Sequence, residues 1–137
     1  GESLVNLKDK SILVLGLAFK PGTEDIRESV SINIIQDLLE QNCSVYAHDP
    51  LAMENTKREF ENQKGIQFIE DWENSIEEVD AVVIATRWEE YRNLSSSEVK
   101  QKMKNKILLD ARRLFSDADF PESKYLTIGR SLNTNRP

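Results

Sequence analysis

Short apolar runs alternate with helix-patterned segments along this chain, and that alternation limits the folds open to it. Ser11 to Gly16 (Ser-Ile-Leu-Val-Leu-Gly) is apolar, rich in branched side chains and closed by glycine, as a strand covered on both faces reads. After Ser29, a candidate N-cap, Val30, Ile34, Ile35, Leu38 and Leu39 fall on one helical face. Ser44 to His48 is a second short strand. Asp49 and Pro50 then read as N-cap and first residue of a helix running to about Asn62. Gly65 precedes a third strand, Ile66 to Ile69, and Ala81 to Thr86 is a fourth. Glu98 to Lys104 predicts a short helix, Ile107 to Asp110 a fifth strand, and Lys124 to Ile128 a sixth ended by Gly129.

Strands separated by helices need crossover connections, which make neighbouring strands parallel and place helices on the sheet faces. The expected class is α/β: a Rossmann-like, mostly parallel sheet of five to six strands, in order 3-2-1-4-5-6, with helices on both faces. The 137 residues leave room for one such domain, spanning 1–137 without an internal linker.

Composition narrows the chemistry. Lys and Arg number 18 against 24 Asp and Glu, a net charge of -6, which opposes a general nucleic-acid binder. The four lysines between Lys100 and Lys106 are too few on an acidic chain to change that, and the six acids from Glu70 to Asp80 read as a solvated face. No run approaches the roughly 18 apolar residues of a membrane span, and the amino end shows no signal-peptide pattern. Single copies of cysteine (Cys43) and histidine (His48) argue against a disulfide framework, a metal site and a histidine-dependent triad. Cys43 reads as structural and remote from the ligand end, and His48 as facing solvent at a strand end. Function by binding is the expectation.

In parallel sheets of this kind ligands bind beyond the carboxyl ends of the strands, here Leu17 to Ser29, Thr86 to Tyr91 and Asp110 to Arg113. The first loop fails the dinucleotide fingerprint G-x-G-x-x-G: Ala18 stands where the second glycine lets backbone approach a pyrophosphate, and Pro21 replaces the third. The phosphate-loop pattern fails as well, because Gly22 is followed by Thr23. In their place the loop carries Phe19, Lys20, Arg27 and the hydroxyls of Thr23 and Ser29. A cation, a guanidinium and a ring suit an anion bearing a flat base, such as a nucleoside diphosphate. The competing reading packs Phe19 in the core and pairs Lys20 and Arg27 with Glu24, Asp25 or Glu28.

The run Gly16 to Ser29 (Gly-Leu-Ala-Phe-Lys-Pro-Gly-Thr-Glu-Asp-Ile-Arg-Glu-Ser) closely resembles the signature opening the C-terminal domain of the UDP-glucose/GDP-mannose (nucleotide-sugar) dehydrogenases. The resemblance continues through Tyr46 to Pro50, Asp80 to Trp88, Asp110-Ala111-Arg112 and Ile128-Gly129-Arg130, in order. It implies the UDP-sugar-binding C-terminal domain of a larger NAD-dependent enzyme that oxidises a sugar C6 alcohol to a carboxylate with two NAD⁺, UDP-glucose being the commonest substrate. It implies further that NAD is bound mainly by an N-terminal domain, that a central region carries the catalytic cysteine, and that this domain alone is inactive. A cytoplasmic homodimer or higher oligomer serving polysaccharide biosynthesis is the corresponding expectation.

Residue by residue, Phe19 and Lys20 match the pair that touches the nucleotide of the substrate. Arg112 matches the arginine of the family's Asp-Gly-Arg motif, and Arg27 the arginine on the NAD side of the cleft. Ala111 stands where the family has glycine, so a positive φ there would strain it, and Arg87 reverses the charge of the family's Thr-Glu-Trp. On composition and pattern alone, a non-catalytic or regulatory nucleotide-binding α/β module is the alternative.

Overall fold

The computed structural model describes residues 6–127. Six strands form one sheet: β1 (Ser11–Leu15), β2 (Ser44–His48), β3 (Ile66–Phe68), β4 (Ala81–Ile84), β5 (Ile107–Asp110) and β6 (Lys124–Leu126). Their order is β3-β2-β1-β4-β5-β6 and every pairing is parallel, as the alternation predicted. Ile128-Gly129-Arg130, the predicted end of β6 and the last matched motif, lies outside the described residues.

The pleat of β1 shows why its sequence is apolar throughout. Ile12 and Val14 point into one core with Ile34, Ile35, Leu38 and Phe60, while Leu13 and Leu15 point into another with Trp72, Ile76, Tyr91, Leu94 and Met103. Successive side chains leave opposite faces, and both faces are covered.

Four α-helices lie between the strands: α1 (Val30–Glu40), α2 (Met53–Glu59), α3 (Trp72–Ser75) and α4 (Ser97–Lys100). Ser29 caps α1, its hydroxyl accepting from the Ser31 amide. The helix predicted from Pro50 starts later, at Met53, because the Asp49 carboxylate gathers the Leu51 and Ala52 amides into a turn (2.8 and 2.9 Å). It ends at Glu59, short of the expected Asn62. The helix expected over 98–104 is α only from Ser97 to Lys100 and tightens to a 3-10 turn over Gln101–Met103.

The acidic stretch 70–80 hides a helix. Trp72, Ile76 and Val79 are buried beneath α3 and its 3-10 extension Ile76–Glu78, while all its acids but the half-buried Glu73 face water. Counting charge there obscured the spacing of three apolar residues. Among the described residues no helix is long and apolar enough to cross a membrane.

Candidate functional site

The order β2-β1-β4-β5 brings the loops after these four strands together at one edge. Gly16, with φ at +101°, ends β1 against Thr86, whose backbone and side chain lie 2.5 Å from where a Cβ would stand. Only glycine allows that approach.

Beyond Gly16 the backbone is bonded group by group. The Gly16 carbonyl accepts from Ser31 Oγ (2.6 Å), that of Leu17 from Ser29 Oγ (2.8 Å), and that of Ala18 from Thr86 Oγ1 (2.7 Å). The Gly16 amide donates to the His48 carbonyl (2.8 Å), and the Leu17 and Ala18 amides donate to Asp49 Oδ2 (2.7 and 3.0 Å). The Ser29 hydroxyl, a candidate for meeting an anion, is therefore buried and engaged within the fold; Thr23 Oγ1 accepts from the Asp25 amide.

Phe19 and Lys20 emerge from this fixed segment. Phe19 is half-buried, and the exposed Lys20 Nζ lies 5.4 Å from the centre of its ring. From β5, 93 positions on, Arg112 reaches the same place: its Nη2 donates to the Phe19 carbonyl at 3.5 Å. The structure thus gathers Phe19, Lys20 and Arg112. Arg27 makes no hydrogen bond to them among the described residues. Its exposed guanidinium grips Asp25 through Nε (3.0 Å) and Nη2 (2.7 Å), and these bonds lower the Asp25 pKa to about 2. For Arg27, the pairing with a neighbouring acid weighed against a ligand role is what the fold contains.

A second buried carboxylate shapes the Arg112 loop. Asp110 Oδ1 accepts from the Arg112 and Leu114 amides (3.3 and 3.0 Å), and Oδ2 from the Phe115 amide and Tyr125 Oη (2.8 and 2.7 Å). Burial first, then the Asp110 carboxylate, pushes the Tyr125 phenol far above its ordinary pKa. Ala111 does not adopt a positive φ. Arg113 does, at +54°, so the left-handed residue falls two places later and Ala111 bears no such strain.

Two other expectations need correction. His48 does not face solvent: it is 5 % exposed, and burial lowers its pKa. Tyr91 Oη donates to the His48 carbonyl at 3.0 Å, which leaves Nδ1 to donate to Oη at 2.9 Å and Nε2 facing Glu90 across 3.9 Å. Asp49 is not the N-cap of α2, a place Ala52 takes without a side-chain bond; it closes the turn before the helix instead. Besides the four amides already described it accepts from Trp88 Nε1 at 3.0 Å, and only 1 % of it is exposed. Cys43, as expected, is buried away from the site, its thiol 2.9 Å from the Leu7 carbonyl.

The profile of the UDP-glucose/GDP-mannose dehydrogenase family, UDP binding domain, matches residues 13–117. The chain belongs to this family. Among the relatives of this UDP-binding domain, the UDP-glucose 6-dehydrogenase of Rickettsia bellii is 35% identical over 130 residues, 93% of this chain and 30% of that protein. The UDP-glucose 6-dehydrogenase of Haloferax volcanii is 38% identical over 109 residues, 80% of this chain and 24% of that protein. A solved UDP-glucose dehydrogenase from the hyperthermophilic archaeon Pyrobaculum islandicum matches with a TM-score of 0.70 at 33% identity, over 88% of this chain and 26% of that one. The chain spans about 30% of the length of the Rickettsia relative.

The β1 loop of this UDP-binding domain does not fit NAD. A dinucleotide loop offers free amides to the pyrophosphate, whereas here the Leu17 and Ala18 amides are engaged by Asp49. The sequence reading missed Asp49, Trp88, Asp110 and Tyr125 as makers of the site. Strand order held a clue for Asp49: a polar residue ending β2 must lie beside the loop that leaves β1.

Proposed function

We propose that this chain grips the nucleotide of a UDP-sugar as the C-terminal domain of a longer NAD-dependent 6-dehydrogenase, with UDP-glucose the favoured substrate. The reading is supported above all by the approach of Arg112 to the Phe19 carbonyl, which sets two cations from different strands on one side of the sheet. A diphosphate lying between Lys20 and Arg112 accepts charge-assisted bonds from both, while Phe19 offers an apolar surface to the ligand. Neither cation has an ion-pair partner among the described residues.

In the longer enzyme the remaining domains would hold NAD⁺ as electron acceptor: converting the C6 alcohol and one water to a carboxylate would need two NAD⁺, each taking one hydride, and would release three protons. None of the described residues is assigned to those steps. The chain's contribution is to fix the nucleotide end so that C6 is presented to them. Arg27, at the outer side of the loop, is the one side chain here assigned to the cofactor side of the cleft. We place the full enzyme in the cytoplasm, where an NAD pool is available, as a homodimer or larger assembly.

The test is titration of the isotopically labelled chain with UDP, followed by NMR. With only part of the cleft present, binding on the order of millimolar is expected, near 4 kcal/mol, with shifts concentrated at Phe19, Lys20 and Arg112. Saturable shifts elsewhere, or none at tens of millimolar, would overturn the reading.

A further inference from the structure

Consecutive amides that converge on one oxygen form the concave nest by which a backbone holds an anion. Leu17 and Ala18 make such a nest, and it is filled from within: Asp49 Oδ2 takes both amides (2.7 and 3.0 Å) and the Trp88 indole N–H (3.0 Å). The two oxygens of this carboxylate divide their duties. Oδ1 closes the turn that precedes α2 by accepting from Leu51 and Ala52. Closing that turn accounts for Oδ1 and leaves Oδ2, with its three donors from two other loops, unexplained.

We propose that Asp49 is the positioning residue of the nucleotide site, an internal anion that stands where a bound phosphate would otherwise sit. By occupying the nest it sets the path of Gly16 to Ala18 before any ligand arrives. The three carbonyls of that stretch are bonded to Ser31, Ser29 and Thr86, so no polar backbone group there remains to be organised by a nucleotide. The first residues left to meet a ligand are Phe19 and Lys20. Through Trp88 the same carboxylate also ties the β4 loop, and with it the exposed Arg87, to this frame. The phosphates are consequently left to side chains, not to backbone. This deepens the nucleotide reading above and rests on it for the identity of the ligand.

A vacated nest should accept a replacement carboxylate, which gives a test that a merely structural aspartate would fail. In the unsubstituted chain without ligand, amide hydrogen exchange at Leu17 and Ala18 is expected to be at least a hundredfold slower than in an unstructured peptide. In Asp49→Ala, checked for folding by circular dichroism, those amides should lose that protection and UDP affinity should fall at least tenfold. Addition of 50 mM formate, but not of chloride, should restore affinity to within threefold and move the Trp88 indole N–H resonance back towards its original position. Affinity kept within threefold in Asp49→Ala without formate overturns the proposal, as does failure of formate to restore a folded variant. Should the alanine variant not fold, Asp49→Asn decides: UDP affinity kept within threefold overturns the proposal and a larger fall in the folded chain upholds it, while unprotected Leu17 and Ala18 amides in the unsubstituted chain overturn it outright. Protected amides in a chain that binds no UDP would uphold the nest and sink the nucleotide reading instead.

Discussion

Arg112 Nη2 lies 3.5 Å from the carbonyl oxygen of Phe19, although the two residues are 93 positions apart. The contact exists because β1 and β5 flank β4, so their loops meet over its carboxyl end. It places a guanidinium against the backbone that leads into Lys20 without committing that guanidinium to an acid among the described residues. In Lys20→Ala and Arg112→Ala, UDP affinity should each fall about tenfold or more, in line with about 1.5–3 kcal/mol per charge-assisted bond. Both side chains are exposed, so melting temperatures should barely change. Calorimetry of each variant separates the two effects.

Arg27→Ala should behave differently. Its guanidinium is engaged with Asp25 and hydrogen-bonds neither Phe19 nor Arg112 among the described residues, so UDP affinity should stay within twofold. The Asp25 carboxyl, lowered to about 2 mainly by the Arg27 side-chain bond, should return towards its ordinary value of 3.8. A carboxyl ¹³C titration of both chains reads this directly.

At Gly16, alanine would need φ near +101° and a Cβ placed 2.5 Å from the Thr86 backbone nitrogen. Neither relaxes without separating β1 from β4. Gly16→Ala should cost on the order of 3 kcal/mol or more, a fall in melting temperature of roughly 10 °C. A stability within about 1 kcal/mol of the original would show that the two loops are not pressed together.

His48 gives the chain a pH dependence of one sign. Burial, the largest cause, lowers its pKa below the ordinary value of 6.5; Glu90, Asp49, Glu70 and Glu73 oppose this by attracting a proton. The unfolded chain therefore binds a proton first as pH falls. Stability from this group is full above about pH 6.5 and is lost as pH drops through the folded value. Because the sequence holds one histidine, imidazole NMR observes it without overlap, and His48→Gln should flatten unfolding free energy just below about pH 6.5. Glu90→Gln should lower the His48 pKa further.

Much of the fold was legible because buried parallel strands advertise themselves as apolar runs, and β2 and β5 were read to the residue. The ligand edge was legible by the same route, since it follows from strand ends. What stayed hidden were residues whose role depends on a partner far away in sequence. Asp49 reads locally as a cap, yet three of its donors come from loops 31 to 39 positions away. His48 reads as a polar strand end, yet Tyr91, itself read as part of a ligand loop, closes over it. Hydrogen-bond partners across a sheet edge leave no periodicity to find.

Tyr125→Phe tests the second carboxylate. The phenol's one proton is shared between Asp110 Oδ2 and the Phe115 carbonyl, 2.7 and 2.6 Å from Oη, so its loss should cost about 1–2 kcal/mol. UDP affinity should fall two- to threefold through loosening of the 111–115 turn. A stability loss with affinity unchanged would show that the turn holds Arg112 without help from β6.

The filled nest bears on how such a domain is converted from one ligand class to another. Writing the glycines of a dinucleotide fingerprint back at positions 18 and 21 would reshape the loop but leave both of its amides engaged with Asp49. A lineage or a designer moving towards cofactor binding would have to remove that carboxylate in the same step, and with it the cap of the turn before α2. Each change made alone loses stability before it gains a ligand, so the two kinds of loop are separated by a valley that single substitutions do not readily cross.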